Sequence, residues 1–466
     1  MKDKVKESRF AKDSDELRKE VEFLASLKDA RRIQRWKAYW DKTGPGWMLS
    51  AMTIGGGTAM ASLFAGAFYQ YRLLWLQPMI MIIGLVMLSA LSYQTLVTGE
   101  RPFQAMKKYV HPAFAWTWAL ATLLSTMIWH FSMYSLASGM SKDILRAVLN
   151  NDGWGSTYPK LTMVIIGLVL LGIAILVVWN YNRGWKGVRR FEKALKIIVW
   201  FIIFCFLFIV IERTIASKVR WSEVFKGFIP SYLPTDRRGV TLIMGAFSAT
   251  VGINMTFLFG YSYLKRGWGH AHRGLAVFDM FTGMLIPFSI ATALMIIATG
   301  ATIYEPATFA DGNTMISPID IAQMLQEAGL PMLLSRVIFG LGIVAMALNA
   351  IILHMIVCGF VITEVFNIAP GSLGEKMAAL IPVPGIIGVI YWEEIGPWIA
   401  MPTGAVAGLL LPVAYIGFFI LNNNSSYLGK YRPRGWKALI WNAAMILAIT
   451  ISIASIAYYI FGMTKP

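Results

Sequence analysis

The chain contains, at residues 53 to 58, the segment Thr53-Ile54-Gly55-Gly56-Gly57-Thr58. This segment lies near the middle of a charge-free run from 43 to 71, which is longer than the roughly 20 residues that a membrane-spanning α-helix needs. Each glycine costs an α-helix about 1 kcal/mol relative to alanine, so three in succession predict that the helix unwinds here. At membrane depth, an interrupted helix is tolerated only where protein, water or cargo satisfies the freed backbone groups. The triplet therefore predicts a binding site in the middle of the first span.

Ten further charge-free runs follow the first one, which predicts eleven membrane helices. Two of the runs, 197–211 and 377–392, are short and must borrow flanking residues whose long side chains reach the interface. The complete set is 43–71, 73–99, 109–141, 161–182, 197–211, 239–264, 280–304, 337–363, 377–392, 395–429 and 438–464.

The distribution of charge predicts the orientation of the chain. Of the 42 Lys and Arg residues, 30 fall in residues 1–42 and in the loops after every second helix, and 12 fall on the other side. Because basic loops are retained in the cytoplasm, the N-terminus is predicted to be cytoplasmic and the chain to lie in the inner or plasma membrane. The net charge of +17 then describes loops at a lipid surface, and nucleic acid is not expected as a partner.

Residues 1–42 are predicted to be a charged N-terminal extension, and residues 43–466 the transmembrane domain. The extension has an apolar stripe behind a capping box formed by Asp13 and Glu16, which predicts a cytosolic or surface-lying amphipathic helix. The stripe consists of Leu17, Val21, Leu24 and Leu27. The extension lacks an apolar segment ending in a small-residue cleavage site, so no cleaved signal peptide is predicted.

A second interruption is predicted in the sixth span, where small and polar residues cluster between 245 and 256. The candidate substrate-binding residues here are Gly252, Asn254, Met255 and Thr256. If the first ten helices form two halves of five, both interruptions lie in the leading helix of a half, as they do in transporters built from inverted repeats. Small residues also let neighbouring helices pack closely, and for Gly252 this structural role is favoured.

The membrane part of the chain resembles the Nramp family of divalent metal transporters from about Gly44 to about Gly462. The resemblance implies an all-α integral membrane protein of the LeuT-type fold, with two inverted five-helix repeats, an eleventh transmembrane helix and alternating access. The landmarks that carry it are Gly44-Pro45-Gly46-Trp47, Ser50, the segment from Ile54 to Thr58, Leu73-Leu74-Trp75, Arg190-Phe191-Glu192-Lys193, Gly227-Phe228-Ile229-Pro230-Ser231, Leu411-Pro412-Val413-Ala414, Asn422-Asn423-Asn424 and Leu428-Gly429.

The chain departs from the family pattern at the implied metal site. The family motif Asp-Pro-Gly-Asn falls on Gly55, Gly56, Gly57 and Thr58, and Met-Pro-His-Asn falls on residues 252 to 255, with a further family histidine on Phe259. The family's acidic residues of the third helix are also absent, because no Asp or Glu lies between Glu100 and Asp143. Proton coupling by the usual route is therefore not expected.

The remaining donors are neutral oxygens, which suit a hard cation that keeps most of its water. The candidate metal site consists of Gly55, Thr58, Gly252 and Asn254, and the first hypothesis is a transporter of hydrated Mg²⁺ or Mn²⁺, similar to the Nramp-related magnesium transporters. The same glycines offer free N–H groups that can hold an anion, so an amino-acid, bicarbonate or small organic-anion transporter is the alternative. A non-transporting, receptor-like relative is the third hypothesis.

Four other polar residues draw attention. His130, on the third helix, is a candidate proton relay, whereas His354 is interpreted as a packing residue. Glu192 is predicted to anchor the end of the fifth helix near Arg189 or Arg190, and a cap or salt bridge is favoured for Asp279. The sequence has no P-loop, nucleophile elbow or His/Cys metal spacing, so neither an enzyme nor a cofactor is predicted, and the expected partners are the bilayer and a small solute.

Overall fold

The computed structural model describes residues 14–27, 29–181, 185–304, 316–369, 371–391 and 407–464. Most of these residues are helical, and none of them forms a strand. The α-helices are α1 (Ser14–Ser26), α2 (Arg32–Trp40), α3 (Pro45–Thr53), α4 (Gly56–Tyr69), α5 (Leu76–Thr98), α6 (Pro102–Tyr109), α7 (Pro112–Val148), α8 (Pro159–Tyr181), α9 (Trp185–Ile215), α10 (Trp221–Gly227), α11 (Arg237–Thr250), α12 (Ile253–Arg266), α13 (Arg273–Met280), α14 (Ile286–Gly300), α15 (Pro318–Glu327), α16 (Phe339–Val365), α17 (Leu373–Ala378), α18 (Leu411–Asn423), α19 (Ser425–Leu428) and α20 (Gly435–Thr464). Short 3₁₀ or π segments lie at His270–His272, Phe281–Leu285, Leu333–Ile338, Val383–Val389 and Gly429–Tyr431.

Within this described part, seven helices are long and apolar enough to cross a membrane, and two bent pairs raise the number to nine. The bent pairs are Pro45–Thr53 with Gly56–Tyr69, at 53°, and Ala407–Asn423 with Ser425–Tyr431, at 63°. The single spans are Leu76–Thr98, Pro159–Tyr181, Trp185–Ile215, Arg237–Arg266, His270–Gly300, Leu333–Val365 and Gly435–Phe461. Each of these nine overlaps a charge-free run of the sequence.

The two remaining predicted spans behave differently. The third is present as α7, a helix of 37 residues whose many buried Ser, Thr, Trp and His side chains make it less apolar than the others. The ninth, over 377–392, is not the continuous α-helix that the sequence predicted. It consists of the end of α17 and a 3₁₀ helix at Val383–Val389, because Pro382 and Pro384 cannot continue an α-helix. The first part of the tenth predicted span lies outside the described residues.

The buried centre of the molecule lies where α7 packs along α16 and α4 packs along α14. The break between α3 and α4 is enclosed by these helices together with α11 and α12. Side chains of α7 and α16 are therefore expected to line any site that forms between the two interruptions.

The N-terminal extension packs on the membrane domain through two short helices. Helix α1 contacts the segment His270–His272, where Oε1 of Glu20 lies 3.7 Å from Nε2 of His272, and Leu24 is buried. Helix α2 contacts α13, where the ring of Tyr39 meets Phe278 edge to face. Asp13, half of the predicted capping box, lies outside the described residues.

Buried acids hold the beginning of α3 in place. Oδ1 of Asp279 accepts a hydrogen bond from the N–H of Gly44 at 3.0 Å, and Oδ2 accepts one from Gly46 at 2.6 Å. Asp279 is therefore a cap, as favoured from the sequence. Glu192, predicted to anchor the end of the fifth helix near Arg189 or Arg190, forms an ion pair with Arg266 at 2.5 Å, because it faces inward from α9 toward the end of α12.

Candidate functional site

The first interruption lies at Ile54 and Gly55. Helix α3 ends at Thr53, Ile54 has ψ of 54°, and Gly55 adopts an extended conformation at the N-cap position of α4. The bend of 53° between the two half-helices confirms the break predicted from the glycine triplet. The half-helix α4 consequently begins in the middle of the membrane domain, with its first N–H groups free of helical acceptors.

The second interruption is milder. Helix α11 ends at Thr250, Val251 has φ of −139° and ψ of 74°, and Gly252 caps α12 in an extended conformation. The two pieces still run as one span of 30 residues, Arg237–Arg266. The predicted interruption is present, but it displaces only two residues from the helix.

A small cavity lies between the two interruptions. The volume that the centre of a water molecule can occupy in it is about 20 Å³. This volume is enough for about one water molecule. Six of the eight predicted substrate-binding residues line it: Gly55, Gly56, Gly57, Thr58, Asn254 and Met255. The other lining residues are Met52, Thr53, Trp129, Met133, Ser248, Ala249, Ala350 and His354.

The remaining two predicted residues, Gly252 and Thr256, are not among the residues that line the cavity. The hydroxyl of Thr256 accepts a hydrogen bond from Nε1 of Trp118 at 2.9 Å and donates one to the carbonyl of Ile253 at 2.5 Å. Thr256 therefore ties α12 to α7. Gly252 supports Asn254, because a Cβ at position 252 would lie 2.7 Å from Oδ1 of Asn254.

The glycine triplet is also a packing requirement. A Cβ on Gly56 would lie 2.7 Å from Sδ of Met133, and a Cβ on Gly57 would lie 2.5 Å from the ring of Trp129. Real Cβ atoms do not approach other atoms this closely, so α7 contacts α4 in a way that only glycine allows. A Cβ on Gly55 would lie 2.8 Å from the carbonyl oxygen of Met52.

Polar atoms at the cavity are neutral. The hydroxyl oxygen of Thr58 is buried without a hydrogen-bond partner among the described residues. Oδ1 of Asn254 accepts a hydrogen bond from the N–H of Met255 at 3.0 Å, which orients the amide. Across the described ranges there is no group of three or more His, Cys, Asp or Glu side chains that could hold a metal ion. Cargo at this cavity would meet dipoles and sulfur atoms rather than carboxylates.

Sequence reasoning did not assign three of the side chains with sulfur or nitrogen donors that line the cavity. Met52, Met133 and His354 come from α3, α7 and α16, and they join Met255 of α12 to supply three thioethers and one imidazole. Nothing in the local sequence distinguishes Met52 or Met133 from other apolar positions, and His354 was interpreted as a packing residue. The spacing of Trp129 and Met133 places both on one face of a helix, but only the packing of α7 against α4 shows which face meets the glycines.

His130, the predicted relay, lies one layer behind the cavity. Its ring centroid is 5.8 Å from that of His354 and 5.0 Å from that of Tyr134, and its side chain is fully buried. Neither ring nitrogen of His130 has a hydrogen-bond partner within the described chain, and the same is true of Nδ1 of His354. The structure thus brings together two imidazoles. Only His130 had been predicted from the sequence to have a functional role.

The chain has a LeuT-type fold, as comparison with solved structures shows. A manganese transporter from Eremococcus coleocola, solved with an aromatic bis-isothiourea compound, aligns with a TM-score of 0.67 at 16% identity and covers 94% of this chain and 90% of that one. MhsT in complex with L-phenylalanine aligns with a TM-score of 0.57 at 13% identity, covering 88% and 98%. The predicted all-helical fold of the LeuT type is therefore confirmed.

The chain belongs to the Nramp family. The family model, described as natural resistance-associated macrophage protein-like, matches residues 46–458. The divalent metal cation transporter MntH of Levilactobacillus brevis is 22% identical over 430 residues, covering 89% of this chain and 88% of that protein. The metal transporter Nramp1 of Oryza sativa is 25% identical over 307 residues, covering 65% and 54%. Membership of this transporter family confirms that the chain is not an enzyme.

Proposed function

We propose that this protein transports a divalent metal ion by alternating access around the cavity between the two helix interruptions, with Mn²⁺ favoured over Mg²⁺. Relatives named as divalent metal cation transporters support the class of cargo. The observation that carries the choice of metal is the set of three thioethers and one imidazole at the cavity. Sulfur and nitrogen ligands favour Mn²⁺ over Mg²⁺, which prefers oxygen ligands and retains its water.

The ligands are drawn from both interruptions. The hydroxyl of Thr58, the carbonyl of Gly55 and the amide oxygen of Asn254 supply oxygen atoms, and Gly252 keeps the amide in position. Without a carboxylate, these groups offset only part of the cost of dehydrating a divalent ion, so binding is weak and the ion retains water. A cavity that holds about one water cannot contain a hydrated ion, and the half-helices must separate for cargo to enter.

The same observations support transport without the family's usual proton coupling. The described cavity lining contains no Asp or Glu. His130, whose ring centroid lies 5.8 Å from that of His354, is the proposed relay for any proton that does move with the metal. We place the N-terminus in the cytoplasm and the chain in the plasma membrane on the basis of the distribution of Lys and Arg.

An anion transporter is the second candidate, and the position of α4 favours it. The N-terminus of this half-helix opens on the cavity through Gly55, Gly56 and Gly57, where free N–H groups and the helix dipole attract negative charge. Amino acids and bicarbonate are the corresponding cargoes.

Reconstitution of the purified protein into liposomes tests these proposals. Vesicles that contain separate reporters for Mn²⁺, Mg²⁺ and pH are expected to show Mn²⁺ entry above that of empty vesicles, slower Mg²⁺ entry and little proton movement. Thermal stabilisation by an amino acid or bicarbonate, without any response to metal, would support anion transport in place of metal transport. The absence of flux for every cargo would identify a receptor-like relative.

A further inference from the structure

A large groove lies apart from the metal cavity, at the end of the membrane domain where α2 leads into α3. It has a volume of about 810 Å³ and is bounded by the end of α2, one face of α9 and the last residue of α12. We call it the α9 groove. Its lining residues are Trp40, Asp41, Thr43, Arg189, Glu192, Lys193, Lys196, Ile197, Trp200, Phe201, Phe204 and Arg266.

The α9 groove is strongly basic at one end. Its lining contains four basic and two acidic side chains, and one member of each type, Arg266 and Glu192, forms an ion pair at 2.5 Å. Within the described chain, Arg189, Lys193 and Lys196 form no such pair. Nζ of Lys196 lies 3.9 Å from the ring centroid of Trp40, and that contact fixes the ammonium group at the wall of the groove.

The other end of the groove is apolar and lies on the same face of the same helix. Ile197, Phe201 and Phe204 follow Lys193 at spacings of three or four residues, which repeats one helical face. These side chains are 61%, 43% and 48% exposed, and Phe208 continues the stripe one turn further. A single surface therefore changes from cationic to aromatic along α9 over about four helical turns.

We infer that the α9 groove binds an anionic phospholipid, with the phosphate diester at Arg189, Lys193 and Lys196 and an acyl chain along Ile197, Phe201 and Phe204. Charge complementarity selects the headgroup, because each Lys or Arg near a membrane surface strengthens binding to anionic lipid by about fivefold. Trp40 and Trp200 provide the aromatic rings that favour the headgroup level of a bilayer. The chemistry matches one amphiphile with a negative head and a hydrocarbon tail.

The occupant would lie against Trp40, Asp41 and Thr43, the segment that immediately precedes α3. Glu192 lines the groove and packs against Gly44, where a Cβ would overlap its carboxylate, and Arg266 donates a hydrogen bond to the carbonyl of Lys42 at 3.3 Å. A lipid bound here contacts the part of the chain that must move when the first half-helix changes position.

Native mass spectrometry of the full-length protein tests this inference directly. Wild-type protein is titrated with phosphatidylglycerol and, separately, with phosphatidylcholine, and the double variant Lys193→Gln/Lys196→Gln is compared with Lys107→Gln/Lys108→Gln. The control pair lies exposed on α6, outside the groove, and removes the same charge. We expect wild type and control to retain phosphatidylglycerol over phosphatidylcholine, and the groove variant to lose about 25-fold in affinity for phosphatidylglycerol.

Inorganic phosphate serves as the competitor that separates a lipid from a free anion. Displacement of phosphatidylglycerol by millimolar phosphate would show that the groove binds phosphate rather than lipid and would overturn the inference. Equal retention of the two lipids by wild type, or equal losses in the groove and control variants, would overturn it as well. Melting temperatures measured in phosphatidylcholine confirm that both variants are folded, and the result does not depend on metal transport.

Discussion

The two helix interruptions reach the same cavity by different physical means. In the first span, three glycines separate half-helices that bend by 53°, and Trp129 and Met133 pack where side chains of α4 would otherwise be. In the second, Val251 and Gly252 leave the helix while the span continues as one unit. The number of glycines at a break therefore reflects how closely a neighbouring helix approaches. One glycine is sufficient to free the backbone.

The substitution Gly57→Ala has the largest expected effect, because it tests the close approach of α7 to α4 directly. The added Cβ would lie 2.5 Å from the Trp129 ring and 3.1 Å from Cβ of Ala249, so the ring must shift. Overpacking of this kind costs about 1–3 kcal/mol of stability, and we expect transport to be lost. Thermal unfolding and Mn²⁺ flux in liposomes measure the two effects.

Gly245→Ala is the matched control, since Gly245 lies in the half-helix α11 and a Cβ there has no neighbour within 4 Å. This variant should gain up to about 1 kcal/mol from helix propensity and transport normally. Equal destabilisation in both variants would contradict the close-approach explanation.

Gly55→Asp restores a charge at the first break and tests whether the site geometry is inherited from the family. Aspartate is favoured at an N-cap and position 55 lines the cavity, so Mn²⁺ affinity should rise by at least about tenfold, or 1.4 kcal/mol, once the Met52 carbonyl oxygen, 2.8 Å from the added Cβ, has shifted. Calorimetric titration measures the change. Gly55→Asn has the same shape without the charge and should leave affinity nearly unchanged; an aspartate variant that titrates like wild type would argue against the proposed site.

Met133→Leu tests the sulfur atoms that the structure adds to the site. Removing one of three thioethers should reduce the ratio of Mn²⁺ to Mg²⁺ transport by a few fold, while the similar volume of leucine keeps the loss of stability below about 1.5 kcal/mol. Met140→Leu is the control, because Met140 is buried on the same helix but away from the cavity. An unchanged ratio in both variants would remove the argument for Mn²⁺ over Mg²⁺.

His130→Gln has the smallest expected effect on metal flux, within about twofold, because His130 lies behind the cavity rather than in its lining. The small proton movement that accompanies Mn²⁺ should disappear, because glutamine cannot carry a proton at neutral pH. Parallel recordings with metal and pH reporters check both quantities. His111→Asn, which keeps a cap at the start of α7, is expected to behave like wild type in both recordings.

Much of the fold was predictable because a segment that crosses the bilayer must be apolar, helical and about 20 residues long. Charge-free runs indicated the spans, because burying a charge in the membrane is costly. The glycine triplet indicated the first break, because ordering a glycine backbone in a helix is costly. The ninth span was misjudged for a local reason too, because Pro382 and Pro384 lie within the run and end the α-helix. Six of the eight candidate site residues line the cavity, and each of the six lies within a few residues of a break in its span.

By itself, the sequence determined that the chain is a membrane helical bundle with two interrupted spans and a site without carboxylates. Only the tertiary structure decided that Met52, Met133 and His354 share that site, that Thr256 does not, and that Glu192 pairs with Arg266. The physical reason is distance along the chain. Helix periodicity fixes which residues share a face, but the approach of α7 and α16 to α4 depends on packing among segments about 70 to 300 residues apart, which no local pattern records.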